Sequence, residues 1–289
     1  MKKYLGLLLA LILALSAMAA AADQYPGVEP WKIYMLDDGA VGDFDGDGDE
    51  EAFSFSMSAD EDSWDGAFTL TVGDQSVSEE NCCELAGEVY VIYIGWRGSY
   101  GTDAGYYAAL FMVPEYGPSD DPWTYCYLYE SDGLIDVGAI PALPRSMTAD
   151  PMTGMITTQV RADMVGTWSR PADYILASGY SWDDENFESY THLCEVPRAI
   201  YPMGMIVTLK QELPLMASQT DRVFSTTLAA NQQVILAATD DVRWLYVTSM
   251  DGATRGWVKM SRVEWETKIA VGDVNVNIDD VFGNILYAD

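Results

Sequence analysis

From Ala52 onward the chain alternates apolar and polar residues with a period of two. Phe53, Phe55 and Met57 alternate with Ala52, Ser54 and Ser56, and Phe68, Leu70 and Val72 alternate with threonines. Further strand-length runs rich in β-branched and aromatic residues follow at Val89 to Ile94, Tyr106 to Val113, Tyr125 to Tyr129 and Met155 to Val160. Each is bounded by turn residues such as Ser131-Asp132-Gly133. No segment sustains a helical stripe at i, i+3, i+4 and i+7 for three turns. The pattern predicts an all-β protein.

The beginning of the chain departs from this pattern. Lys2 and Lys3 precede an apolar run from Leu5 to Leu15 and the small-residue stretch Ala17 to Ala22. Residues 1–22 have the layout of a secretory signal peptide cleaved before Asp23. The alternative is an uncleaved anchor, since the apolar stretch approaches the minimum for a membrane span. No cysteine precedes Cys82, so there is no lipidation site at the processing point, and no second apolar span follows. A secreted or cell-envelope location is the expectation.

In an oxidising compartment Cys82, Cys83, Cys126 and Cys194 allow three full pairings. Vicinal Cys82 and Cys83 join each other only with strain, so a bridge from one of them to Cys126 or Cys194 competes with free, buried thiols. His192 and Cys194 form a lone H-x-C that lacks the spacing of a zinc site.

The break at Tyr201-Pro202-Met203-Gly204 divides the rest. Expected are a β domain over 23–203, a small β module over 204–266 and a tail over 267–289. Val281, Phe282, Ile285 and Leu286 make the tail apolar enough to dock.

Charge narrows the function. The 289 residues include 45 acidic and 15 basic side chains, a formal charge of -30. So few scattered cations exclude nucleic-acid binding through a basic face and disfavour anionic membrane surfaces. The 49% hydrophobic content is nevertheless too high for disorder.

Part of the acid has a pattern. In Asp43-Phe44-Asp45-Gly46-Asp47-Gly48-Asp49-Glu50-Glu51, carboxylates fall at positions 1, 3, 5 and 9, with Gly48 at the turn. Hard calcium takes six to eight oxygens, and alternate side chains of a tight loop can converge on it. The competing reading is a solvated acidic turn. An EF-hand is excluded, because position 12 is Ser54 within a strand pattern. The loop resembles the FG-GAP/VCBS calcium loops of β-propeller proteins such as integrin α chains, where D-x-D-x-D-G-x-x-[DE] joins two strands. That resemblance implies calcium ligation by Asp43, Asp45, Asp47, Asp49 through its carbonyl, and Glu51. Only one such loop occurs, so a propeller-like or a sandwich arrangement would house it. With a Kd of about 0.1 mM at about 1 mM ion, calcium would add about 1.4 kcal/mol of stability.

The second module carries Val207-Thr208-Leu209, Val234-Ile235-Leu236, Trp244-Leu245-Tyr246-Val247, the hairpin signal Asp251-Gly252, and Gly256-Trp257-Val258. Over Met205 to Val263 it resembles a bacterial SH3-like (SH3b) domain, with Asn231 where that family commonly has Gly. The resemblance implies a module that binds cell-wall peptides or packs on a neighbour. Trp244, Tyr246 and Trp257 are then either exposed ligand contacts or part of the small barrel's core. Trp96 and Tyr100, in the Gly/aromatic stretch from Gly95 to Tyr107, could stack on a sugar or peptide or belong to a hairpin loop.

No nucleophile elbow, Walker loop, dinucleotide fingerprint or H-E-x-x-H motif is present. The single histidine, His192, leaves little room for histidine-based catalysis. Paired carboxylates remain, in Asp183-Asp184-Glu185 beside Trp182 and Asp60-Glu61-Asp62 beside Trp64, either as a glycosidase pair or as solvated surface. A non-catalytic, calcium-stabilised binding protein for glycan or cell-wall peptide is the leading expectation. A carbohydrate-active hydrolase is the alternative.

Overall fold

The computed structural model describes residues 31–59, 65–96, 106–117, 121–130, 133–162, 164–166, 168–182, 187–197 and 200–287. The leader over 1–22 lies outside them. The protein is all-β, and each strand-length run singled out in the sequence is a strand. Two compact units form: residues 1–158 with 173–195, and residues 159–172 with 196–289.

The first unit contains β1 (Ile33–Leu36), β2 (Val41–Gly42), β3 (Glu51–Ala59), β4 (Asp65–Val72), β5 (Gln75–Cys83), β6 (Val89–Trp96), β7 (Tyr106–Glu115), β8 (Trp123–Glu130) and β9 (Gly133–Ile140). One antiparallel sheet has the order β2-β3-β4-β5 and the other β1-β6-β7-β8-β9. β2 to β5 and β6 to β9 run as meanders, each strand pairing with the next, while β1 pairs with β6. After β9 come β10 (Thr148–Asp150), β11 (Met155–Arg161), β12 (Ser169–Trp182) and β13 (Phe187–Glu195), with β10 paired to β11 and β12 to β13.

Alternation decides the core. Phe53 on β3, Phe68 and Leu70 on β4, Phe111 on β7 and Tyr127 on β8 point inward and are buried together. Phe53 stacks on Phe111 at 5.8 Å, while Phe68 meets Tyr127 edge-on at 6.1 Å. Two sheets joined through interleaved rings make the unit sandwich-like. The intervening Ser54, Ser56 and Ser58 face solvent.

The second unit contains β14 (Tyr201–Leu209), β15 (Leu213–Leu215), β16 (Thr226–Leu228), β17 (Gln233–Thr239), β18 (Trp244–Ser249), β19 (Arg255–Val263), β20 (Glu266–Val271), β21 (Val274–Asn277), the single-turn helix α1 (Ile278–Val281) and β22 (Phe282–Gly283). A seven-stranded sheet is ordered β21-β20-β19-β18-β17-β14-β22, and β15 pairs with β16. Val207, Leu236, Leu245, Val247, Val258 and Ile269 build its core. The tail completes this sheet. Val281 and Phe282 are buried and β22 pairs with β14, whereas Leu286 stays exposed.

Tyr201 to Gly204 falls inside β14, where the pairing with β17 shifts register between Pro202 and Met205. A Pro without an N–H and a Gly at φ 78° build a bulge here, because the strand can continue around them. Asn231 takes the left-handed conformation at φ 63°, as its side chain allows. Residues 159–172 belong to the second unit. The backbone N–H of Met164 donates to Asp241 at 3.0 Å, and Arg170 pairs with the same carboxylate at 3.1 Å.

Phe111→Ala should lower the unfolding free energy by about 3–5 kcal/mol, while Met57→Ala on the open face of β3 should change it by less than about 0.5 kcal/mol. Urea denaturation of the two variants measures both, and equal losses would contradict the assigned faces.

Candidate metal centre

The acidic loop joins β2 to β3, held at its base by the pairs Val41↔Ala52 and Gly42↔Glu51. Within it, side chains cap the backbone turn by turn. Asp43 accepts from the N–H groups of Gly46 at 2.8 Å and Gly48 at 3.1 Å, Asp45 from Asp47 at 3.1 Å, and Asp47 from Asp49 at 2.8 Å. These Asx-type bonds explain why Asp recurs at every second position. Gly46 and Gly48 have φ of 80° and 99°, conformations that a Cβ would strain.

Phe44 ties the loop to the core. Its ring is buried against Phe111 at 5.1 Å and stacks near Tyr93 at 6.3 Å, and its carbonyl accepts from Ala109 N–H at 2.8 Å. Its own N–H donates to Glu51 Oε2 at 2.8 Å, so the last acid of the loop folds back over the first. The sequence motif treats Phe44 as a spacer. The signal that could have found it was a large aromatic among consecutive acids, which has no reason to be there unless it is buried.

Asp43, Asp45 and Glu51 each place a carboxylate oxygen within 4.8 Å of the others. Two oxygens on one calcium, at 2.3–2.6 Å from it, are at most about 5.2 Å apart, so these three fit one ion. Asp47 and Asp49 are exposed and stand outside this group, although Asp47 follows directly in the loop. The structure thus gathers three of the five residues singled out in the sequence.

Electrostatics fit a cation. Burial, together with repulsion from Asp47 and Asp43, holds the Asp45 carboxyl above its ordinary 3.8. Burial and the neighbouring Asp45, Asp43 and Asp47 do the same to Glu51, above 4.5. Tyr93 and Tyr129 are pushed up to about 12, first by burial and then by the loop carboxylates. A divalent ion would reverse this balance for the acids, because it favours their charged form.

The three aromatics singled out in the second module lie on one face of two neighbouring strands. On β18 and β19, Leu245, Val247 and Val258 are buried, so Trp244, Tyr246 and Trp257 lie on the opposite, outer face, each half-buried. Tyr246 is directly opposite Trp257 with ring centroids 4.8 Å apart, and Arg243 lies over the Trp244 ring at 5.8 Å. Of the two readings of these residues, the outer one is what the strands produce. Trp96 closes β6, whereas Tyr100 and the carboxylate groups at 60–62 and 183–185 lie outside the described residues, as does Trp64.

The four cysteines are free thiols, so no bridge joins Cys82 or Cys83 to Cys126 or Cys194. Cys82 and Cys126 are buried, and burial pushes both thiols up, away from a reactive thiolate. His192 is exposed on β13, opposite Ala177. Among the described residues no helix is long and apolar enough to cross a membrane.

Comparison with known protein families, curated proteins and solved structures gave no match.

Since Asp45 and Glu51 titrate above their ordinary values, the metal-free folded chain retains protons that the unfolded chain has released. Their contribution therefore falls as pH rises from 3.8 and 4.5 through the higher folded values, and is flat above them. Thermal melts in chelator should show this decline, Asp45→Asn should reduce it, and a slope unchanged by that substitution would contradict the arrangement.

Proposed function

We propose that the chain is an exported, non-catalytic binding protein of the cell envelope or extracellular space, stabilised by calcium in its first unit and presenting a ligand face on its second. The observation that carries the binding role is the outward row Trp244, Tyr246 and Trp257, laid over a core that Leu245, Val247 and Val258 already fill. Large aromatics left half-exposed on a sheet cost solubility unless they meet something, and their polar-tipped rings suit sugars and peptides. Glycan or cell-wall peptide is the ligand class that this face and the SH3b resemblance support together.

Calcium is read from the convergence of Asp43, Asp45 and Glu51 and from the FG-GAP/VCBS resemblance of the loop. Asp47 and the Asp49 carbonyl would complete the oxygen set. The ion's role is to hold the β2–β3 connection against the repulsion of its own acids, so it acts on stability and not on chemistry. Export is read from the leader pattern of residues 1–22.

Calcium should raise the melting temperature, chelator should lower it, and Asp45→Ala should remove the difference. A melting curve indifferent to calcium, in protein shown by elemental analysis to be metal-free, would refute the ion site. For the binding role, the protein should be retained on peptidoglycan or insoluble glycan. Replacing Trp244 and Trp257 together by Ala should cut retention about tenfold or more, and no retention on any such matrix would refute the reading.

A further inference from the structure

The charge of the chain is divided between its units very unevenly. Of 15 basic and 45 acidic residues, the second unit holds 10 and 12, leaving 5 and 33 to the first. The formal charge of -30 is thus about -28 in one unit and -2 in the other. Several of the second unit's cations surround the aromatic row.

Cross-strand register makes this a grid. On β19, Arg255, Trp257 and Lys259 are alternate residues and share the outer face, and on β18 Trp244, Tyr246 and Thr248 do the same. Lys259 is opposite Trp244, Trp257 opposite Tyr246, and Arg255 opposite Thr248. On β19 Trp257 is therefore flanked by a cation on each side, Arg255 and Lys259, two residues away along the same face. Arg243, in the turn before β18, adds a third over the Trp244 ring. Arg255 and Lys259 are exposed and have no acidic partner among the described residues.

Unpaired cations beside stacking rings, in a chain with three acids for every base, select an anion with an apolar face. The grid is also in mid-sheet. β18 lies between β17 and β19, and around Trp257 the β19 backbone bonds both to β18 and to Met216. No unpaired backbone edge is offered, so an extended peptide could not add as a strand, the usual source of its affinity. Only side chains are available, in a flat array about 13 Å from Arg255 to Lys259.

We propose that this face binds a short acidic oligosaccharide, whose ring faces stack on Trp244, Tyr246 and Trp257 and whose carboxylates pair with Arg255, Lys259 and Arg243. The proposal rests on reading the same face as a ligand surface and gives that ligand its charge.

Titration calorimetry on the full chain with calcium tests it, using trisaccharides of galacturonate, glucuronate and mannuronate against neutral galactotriose, triglutamate and hexathymidylate. At least one uronate trisaccharide should bind at least tenfold more tightly than galactotriose. Arg255→Gln with Lys259→Gln should remove that preference while leaving the melting temperature unchanged, and added salt should weaken it. Equal affinity for galactotriose would overturn the acidic ligand but keep the glycan face. Binding of no saccharide at all would overturn the acidic oligosaccharide, and loss of retention on peptidoglycan and insoluble glycan as well would overturn the ligand face itself. Tighter binding of triglutamate or hexathymidylate would replace the ligand class. Concentration-dependent self-association by light scattering, lost in the same double variant, would give the face to a second copy of the chain.

Discussion

Phe44 is the contact on which the first unit's architecture and its candidate ion site both depend. It stands in the middle of an acidic loop, yet its ring is buried between Phe111 and Tyr93 and its carbonyl is bonded to β7. A loop of acids left alone would spread apart into water. With Phe44 sequestered, Asp43 and Asp45 are fixed on either side of a buried residue, and the Phe44 N–H draws Glu51 back toward them. Hydrophobic burial thereby holds like charges together, and the raised carboxyls of Asp45 and Glu51 are the electrostatic counterpart of that arrangement.

The second unit resolves a different conflict. Its strands carry aromatics on the face opposite the core, because aliphatic residues already occupy the inward positions at every second residue. Period-two geometry leaves no compromise: Leu245 and Val247 inward means Trp244 and Tyr246 outward. What saves this face from being a plain apolar patch is its rim of cations, and the near-neutral charge of the unit lets those cations act. In the first unit the same three residues would be outnumbered by acids.

Much of this was legible before any coordinates. Strand runs, the all-β class, the acidic turn between two strands and the hairpin at Asp251-Gly252 follow from residue types at short separations, where local geometry dominates. The Pro/Gly group at 202–204 forms a bulge within β14, a few residues after the division between units at 195/196, since local breakers mark either a linker or a bulge and pairing with a distant strand decides which. The excursion of residues 159–172 into the second unit left no local signal, because its anchor, Asp241, is about seventy residues away in the chain.

The sequence by itself determined which residues alternate, where the acids cluster and how unequal the charges are, since these are properties of neighbours along one chain. Tertiary structure alone decided which face of each strand is the core and which carboxylates meet. It decided too that Lys259 lies opposite Trp244 with Arg255 beyond Trp257. Register between strands is set by packing and by turns acting over long separations, and a slip of one residue would have turned the aromatic row inward.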